Sequence, residues 1–215
     1  RHTVDRHMVE TAVYAAALTR RVHRPDLLLF AALFHDIGKG TQEDHSERGE
    51  RLIEPLAARI GFAAPDIETL KLLVKHHLLL SATATRRDLD DPATIASVTS
   101  VIPDLQTLEL LHALSIADGQ ATGRAAWSDW KESLLSELVS RVTNALTDNT
   151  IATAPIFTEE QITFARTGQL RVIIEDRDPD FVIEIIAPDK PGLLSVVAGV
   201  LNLARFDVRS ARTQT

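Results

Sequence analysis

The sequence predicts a mainly α protein, in which an all-helical region is followed by a small, incomplete α+β unit. Three observations lead to this prediction. Apolar residues recur at helical spacing as far as residue 147. Apolar and β-branched residues then alternate near 170–176 and 181–187, as they do in strands. The chain has 215 residues, of which 45% are hydrophobic, and this length suits one or two globular domains.

The helical region can be divided into separate elements. The apolar spacing predicts helices over residues 3–22, 26–37, 44–60, 66–79, 93–101, 104–122 and 127–147. Proline residues stand where three of these helices begin, at Pro25, Pro65 and Pro103. Gly61 stands just past the end of the third helix, as a C-terminal cap does. Residues 1–147 are therefore predicted to form one helical domain.

The region after residue 147 has a different pattern. Residues 148–168 are mixed and polar, and they predict a linker with at most one short helix. Residues 169–215 predict three strands and one helix, namely strands near 170–176, 181–187 and 206–213 and a helix over 190–204. Such a short unit cannot bury both faces of its sheet. We therefore expect further strands beyond residue 215, or pairing with a second copy of the chain as a dimer.

Composition and charge exclude several classes of function. The chain has 23 Lys+Arg and 30 Asp+Glu, which gives a formal charge of −7 and argues against a nucleic-acid binder. The sequence contains neither a run long enough to span a membrane nor a signal peptide. It contains no cysteine, which excludes disulfides and zinc–thiolate sites and suits the reducing cytoplasm. Because it does not begin with Met, we expect it to be part of a longer protein.

An apolar predicted helix ends in the pair His35-Asp36, two residues before Gly38. Imidazole and carboxylate are the natural ligands of divalent metals where thiolates are missing, and a carboxylate can bridge two ions. His7 lies early in the first predicted helix, and Asp118 lies on the apolar face of the sixth. A carboxylate on an apolar face is costly unless it is paired or coordinated. The alternative is a satisfied core histidine beside a helix-end carboxylate.

Three more histidines extend this set, His45 and the doublet His76-His77. Neighbouring residues on a helix point about 100° apart, so one member of the doublet could lie at the surface. Lys39 follows the His35-Asp36 pair, and it could hold a phosphate oxygen or be a solvated loop lysine. The remaining histidines lack such surroundings and are interpreted as structural: His2, His23 and His112.

The order of His7, His35-Asp36 and Asp118 on a helical frame resembles the HD superfamily of metal-dependent phosphohydrolases. This resemblance implies one or two divalent ions, Mn²⁺ or Mg²⁺, with Fe²⁺ and Zn²⁺ as alternatives. It implies that Asp36 is catalytic, and Lys39 is the candidate to assist it. The implied metal ligands are His7, His35, Asp36 and Asp118, with His45 and one or both of His76 and His77 for a second ion.

A more specific resemblance extends over nearly the whole chain from residue 3. The segments that carry it are Val4-Asp5-Arg6-His7, His35-Asp36-Ile37-Gly38-Lys39-Gly40, Asp44-His45-Ser46, Lys75-His76-His77-Leu78-Leu79-Leu80-Ser81, Arg86-Arg87-Asp88, Ala117-Asp118 and Trp127-Ser128-Asp129-Trp130-Lys131. They are similar to the bacterial PII uridylyltransferase/uridylyl-removing enzyme family. In that family the HD domain removes UMP from a tyrosine of the PII nitrogen-signalling protein, and actinobacterial relatives use AMP. The nucleotidyltransferase domain of the family is not in this sequence.

The segment Ile185-Ile186-Ala187-Pro188-Asp189-Lys190-Pro191-Gly192-Leu193-Leu194 resembles the strand-to-helix signature of ACT domains. These ferredoxin-like modules often bind amino acids between paired copies. The resemblance implies that residues 169–215 are a partial ACT domain and that glutamine regulates the enzyme through complete ones. The alternative is a plain turn with proline at the start of a helix.

Two further questions stay open at the level of sequence. Arg86 and Arg87 could receive phosphate or the PII loop, or they could pair with the carboxylates of Asp88, Asp90 and Asp91. The function could also differ from the family's. One rival is a hydrolase of a free nucleotide such as guanosine tetraphosphate, and another is a non-catalytic amino-acid-sensing module on a helical scaffold.

Overall fold

The structure, a computed structural model, describes residues 3–123, 127–148, 157–177, 180–208 and 211. It divides into two compact units, Arg1–Ala152 and Thr153–Thr215. The first unit is helical and the second contains a two-stranded sheet, so the mainly α fold class is confirmed. Among the described residues, no helix is both long enough and apolar enough to cross a membrane.

The first unit consists of helices joined by short turns. Their bounds are α1 Val4–Leu18, a 3-10 turn Thr19–Arg21, α2 Pro25–Phe34, α3 His45–Ile60, α4 Ala64–Lys75, α5 Leu79–Arg86, α6 Pro92–Thr99, α7 Leu105–Thr122 and α8 Asp129–Asp148. The second unit contains α9 Glu159–Ala165, β1 Arg171–Arg177, β2 Asp180–Ile186 and α10 Leu193–Leu203.

Several of these helices begin with a residue whose side chain caps the free backbone amides. The carboxylate of Asp44 accepts hydrogen bonds from two backbone amides at the start of α3. Asp91 and Asp104 cap α6 and α7 in the same way. α3 ends at Gly61, whose left-handed φ of 104° is easy for glycine and costly for other residues. These caps explain why the predicted starts and ends of α3 and α7 agree with the structure within a residue or two.

The core of the first unit is built around α7. This helix packs against α1, α2, α4, α5 and α8, and α3 packs against α4. Leu108, Leu111 and Leu114 of α7 are almost completely buried, at the helical spacing seen in the sequence. Because α7 also contains Asp118, the helix that organises the core also brings one carboxylate to the site described below.

Two predicted helices end earlier than expected. The helix predicted over 26–37 ends at Phe34, and the one predicted over 66–79 ends at Lys75. His76 leaves the helical conformation, with φ −110° and ψ 18°, and a separate helix α5 begins at Leu79. The prediction of one continuous helix over 66–79 was therefore wrong, and α5 was missed.

The second unit contains the two predicted strands near 170–176 and 181–187. β1 and β2 pair antiparallel, with Arg171 opposite Ile186 and Arg177 opposite Asp180. The helix predicted from 190 begins at Leu193, after Gly192 with a left-handed φ of 84°. Of the strand predicted over 206–213, residues 206–208 and 211 are not strand, and 209, 210, 212 and 213 lie outside the described residues.

Candidate metal centre

Two helix ends supply histidines in the same way. At the end of α2, Nδ1 of His35 lies 2.9 Å from the carbonyl oxygen of Ala32. At the end of α4, Nδ1 of His77 lies 2.7 Å from the carbonyl oxygen of Val74. Carbonyls in the last turn of a helix lack amide partners, so a side chain can take them. A carbonyl oxygen only accepts, so each Nδ1 donates, and in the neutral imidazole each Nε2 then keeps a lone pair for another contact.

Each oxygen of the buried Asp36 carboxylate faces a different pair of histidines. Oδ2 lies 3.6 Å from Nε2 of His7 and 3.4 Å from Nε2 of His35. Oδ1 lies 3.5 Å from Nε2 of His77 and 3.9 Å from Nε2 of His45. A carboxylate in this position can contact two cations, one through each oxygen.

Asp118 completes the first of two groups of ligand atoms. Its Oδ1 lies 2.9 Å from Nε2 of His7 and 3.5 Å from Nε2 of His35, because α1 and α7 pack together. In each group the candidate ligand atoms lie within 4.8 Å of one another. The first group is His7, His35 and Asp118, and the second is Asp36, His45 and His77.

The position of His45 depends on a close approach of two backbones. A Cβ atom on Gly38 would lie 2.0 Å from the carbonyl oxygen of His45 and 2.7 Å from the amide nitrogen of Gly49. Gly38 does not have a positive φ, so glycine is needed here for space and not for a special turn. This contact brings the start of α3, and with it His45, against the turn that contains Asp36.

In this cluster, burial and neighbouring charges have opposite effects on the pKa values of Asp36 and His35. Burial disfavours the charged form of Asp36, yet the neighbouring His35, His77 and Lys39 hold its pKa well below the usual range. Burial likewise opposes an imidazolium at His35, but the carboxylates of Asp118 and Asp36 raise its pKa to about 9. Burial and the nearby His77 lower the pKa of His45. The carboxylates are therefore ionised and surrounded by nitrogen atoms, which is the charge pattern of a cation site.

The donor set fits a divalent metal. Three of its buried polar atoms have no hydrogen-bond partner: Nε2 of His35, Oδ1 of Asp36 and Nε2 of His45. Buried polar atoms are costly unless something contacts them. Imidazole and carboxylate together suit Mn²⁺, Fe²⁺ and Zn²⁺.

Comparison with known proteins agrees with this geometry. Residues 4–119, more than half of the chain, match the family described as HD domain. The chain belongs to the HD domain family. The matched range contains all six side chains of the two groups.

Curated relatives of this HD domain chain have the name bifunctional uridylyltransferase/uridylyl-removing enzyme. The relative from Mycobacterium tuberculosis is 49% identical over 211 residues, covering 97% of this chain and 26% of the relative. The one from Streptomyces coelicolor is 45% identical over 255 residues, covering 99% of this chain and 30% of the relative. These matches confirm the family resemblance inferred from sequence, and the chain spans less than a third of either relative's length.

The structure does not bring every predicted residue of the HD domain into the two groups. Lys39 pairs with Oδ2 of Asp36, and its side chain is partly exposed. His76 belongs to neither group, although its neighbour His77 does. Of the histidines interpreted as structural, His23 pairs with Glu109 at the surface, whereas His2 lies outside the described residues.

Arg86 and Arg87 lie apart from the six grouped side chains. Together with His76 they line a separate groove of about 380 Å³ beside α5. Sequence reasoning also missed the two carbonyl oxygens of Ala32 and Val74, since no side-chain pattern reports a main-chain acceptor.

Proposed function

We propose that this chain is the metal-dependent phosphodiesterase part of a longer, cytoplasmic bifunctional enzyme. Its reaction would remove UMP, or AMP, from the modified tyrosine of the PII nitrogen-regulatory protein. The observation that supports a hydrolytic site most directly is Asp36, with one oxygen facing each group of ligand atoms. The names of the relatives support the uridylyl-removing reaction.

The two groups of side chains would each hold one ion. His7, His35 and Asp118 would hold one ion, His45 and His77 a second, and Asp36 would bridge them. Divalent ions supply Lewis acidity and lower the pKa of water from 15.7 to about 7. The bonds to the carbonyls of Ala32 and Val74 would keep two of the imidazoles in the orientation that ligation needs.

Lys39 is placed to act on the substrate. Its ammonium group pairs with Asp36, while two-fifths of its side chain remains exposed to solvent. A phosphodiester that approaches the ions would bring a non-bridging oxygen to this edge of the site. Lys39 would then exchange part of its contact with Asp36 for that oxygen and stabilise the charge that grows on the phosphorus centre.

The deciding experiment incubates the chain with uridylylated and adenylylated PII, with and without Mn²⁺. We expect release of UMP or AMP that depends on the metal and is lost in His35→Ala. His23→Ala is the matched control, because that imidazole pairs with Glu109 at the surface. Absence of nucleotide release from both substrates under saturating Mn²⁺ would refute the proposal.

The same assay separates the two rival functions. Hydrolysis of guanosine tetraphosphate in preference to both modified proteins would favour the free-nucleotide hydrolase. A chain that binds no stoichiometric metal after dialysis and hydrolyses nothing would favour the sensing module. The two oxygens of Asp36, which face different histidines, favour a hydrolase over the sensing module. The names of the relatives favour a uridylylated substrate over a free nucleotide.

We propose the organisation 1–147 phosphohydrolase domain, 148–168 linker and 169–215 partial ACT domain. Glutamine would regulate the enzyme through complete ACT domains, and the exposed apolar residues of the second unit would support a dimer.

A further inference from the structure

A groove beside α5 combines apolar and basic side chains. It has a volume of about 380 Å³, and its lining includes Leu78, Leu79, Lys75, His76, Arg86 and Arg87. Lys75 is already paired, with its Nζ 2.8 Å from a carboxylate oxygen of Glu50. Arg86 and Arg87 are the other two cationic side chains of the lining, and the permanent positive charge of the groove therefore depends on them.

The carboxylates that follow these arginines in the sequence are engaged elsewhere. Asp90 pairs with Arg141 of α8, at 2.5 Å. Asp91 accepts a backbone amide at the start of α6, and Asp88 accepts the backbone amide of Asp90. Among the described residues, neither Arg86 nor Arg87 makes an ion pair or a side-chain hydrogen bond. In a chain with a formal charge of −7, this leaves two local positive charges free.

The groove begins one residue from the metal centre. His76 lines the groove, and the adjacent His77 belongs to the second group of ligand atoms. Consecutive Cα atoms are about 3.8 Å apart, so the same short stretch of backbone positions one grouped imidazole and one side chain of the groove. The break between α4 and α5 is what turns these two neighbouring side chains toward different surroundings.

The chemistry of the reaction indicates what the groove receives. A nucleotidyl-tyrosine diester carries one negative charge, and that charge must lie at the metal centre during hydrolysis. A second, separate cationic surface therefore serves another part of the substrate. The apolar residues Leu78 and Leu79 suit side chains of a polypeptide, and the lining contains no Phe, Tyr or Trp ring on which a base could stack.

We propose that this groove binds an acidic segment of the protein substrate, next to the modified tyrosine. The inference rests on the proposed function, because it assumes that the leaving group is a protein. Charge complementarity at such a surface sets the position of the substrate and the rate of encounter more than it sets the chemistry.

The test compares Arg86→Glu/Arg87→Glu with Arg20→Glu/Arg59→Glu in the full 215-residue chain. The control changes the net charge by the same amount at two exposed arginines outside the groove. Two substrates are used with Mn²⁺, nucleotidylated PII and bis(p-nitrophenyl) phosphate, a small diester with no polypeptide. In the groove variant we expect kcat/KM for the protein to fall at least about tenfold further than kcat/KM for the small diester.

Every other outcome would contradict the proposed role of the groove. Equal loss on both substrates would mean that the arginines act on the metal centre, and equal behaviour of the two variants would remove the groove from the reaction. If single-stranded RNA bound the wild type and only the groove variant lost that binding, with the protein KM unchanged, the ligand would be a nucleic acid. Failure of the wild type on both diesters would instead refute the proposed function itself.

Discussion

The two units of the molecule differ in how much of their apolar surface they bury. In the helical unit, residues such as Leu28, Leu70 and Leu111 are completely buried. In the second unit no described residue is buried, and Leu203 of α10 is 84% exposed. A two-stranded hairpin with little support is marginal in water, whereas a closed helical core is stable by itself. The difference teaches that the grouped side chains of the candidate metal centre belong to the unit that has a buried core.

The two units also differ in the ionisable groups that they bury. The helical unit buries Asp36, His35 and His77 together, which costs free energy unless they are paired or bound. Only a rigid core can hold such groups in place. The second unit buries no ionisable group among its described residues.

The largest effect is expected from Asp36→Ala. This change removes the carboxylate that faces both groups, so we expect hydrolysis to fall at least ~100-fold. The far-ultraviolet circular dichroism should stay that of a helical protein, because Asp36 lies in a turn after α2. Metal content by mass spectrometry and release of nucleotide are the measurements. Near wild-type activity in the purified variant would show that the site is elsewhere, and Asp118→Asn should behave like Asp36→Ala.

A second prediction tests the difference in packing directly. Leu111→Ala leaves a cavity in the core of α7, and we expect it to lower the free energy of unfolding by about 2–5 kcal/mol. Leu203→Ala removes an exposed side chain, so we expect a change within about 0.5 kcal/mol. Urea unfolding followed by circular dichroism measures both. A large loss in Leu203→Ala would mean that a second copy of the chain covers α10 in solution.

A smaller effect is expected from a methyl group at Gly38. Gly38→Ala would press on the carbonyl of His45, and we expect a loss of about 1–3 kcal/mol in the free energy of unfolding with weaker binding of a second ion. Gly199→Ala in α10 is the matched control, since no atom lies within 4 Å of its added Cβ. That control should be neutral or slightly stabilising, as alanine is in a helix. Equal losses in both variants would contradict the close-packing argument.

The smallest effect is expected from glutamine. If residues 169–215 are a partial ACT domain, this chain alone should bind glutamine weakly or not at all in titration calorimetry. The helical unit should keep its hydrolase activity in the same samples, because its candidate ligands all lie between His7 and Asp118. Tight binding of glutamine to this chain would show that the second unit is already competent, and it would reverse the comparison between the units.

Much of the fold could be predicted from the sequence, because apolar spacing and caps report directly on helices such as α3 and α7. The break at His76 could not, since Leu78, Leu79 and Leu80 continue the apolar pattern without proline or glycine. At this break Nδ1 of His77 takes the carbonyl oxygen of Val74, and hydrophobic periodicity does not report such a bond.

In the candidate site, too, features that depend on neighbouring residues could be predicted, and features that depend on distant residues could not. The metal-capable side chains were visible as residue types, and the structure brings six of them into two groups. The freedom of Arg86 and Arg87 was not predictable, because it depends on Arg141 reaching Asp90 from 51 positions away. The role of Gly38 as a spacer was likewise hidden, since it depends on where α3 docks.

The paired helix ends at His35 and His77 have a consequence for how such a site can vary. Ala32 and Val74 take part through main-chain oxygens, so the hydrogen bonds do not depend on the chemistry of their side chains. Both side chains are buried in the core, and packing is what restricts their size. The side chains of Ala32 and Val74 give no sign of a role at the centre, although the main-chain oxygen of each residue orients an imidazole there.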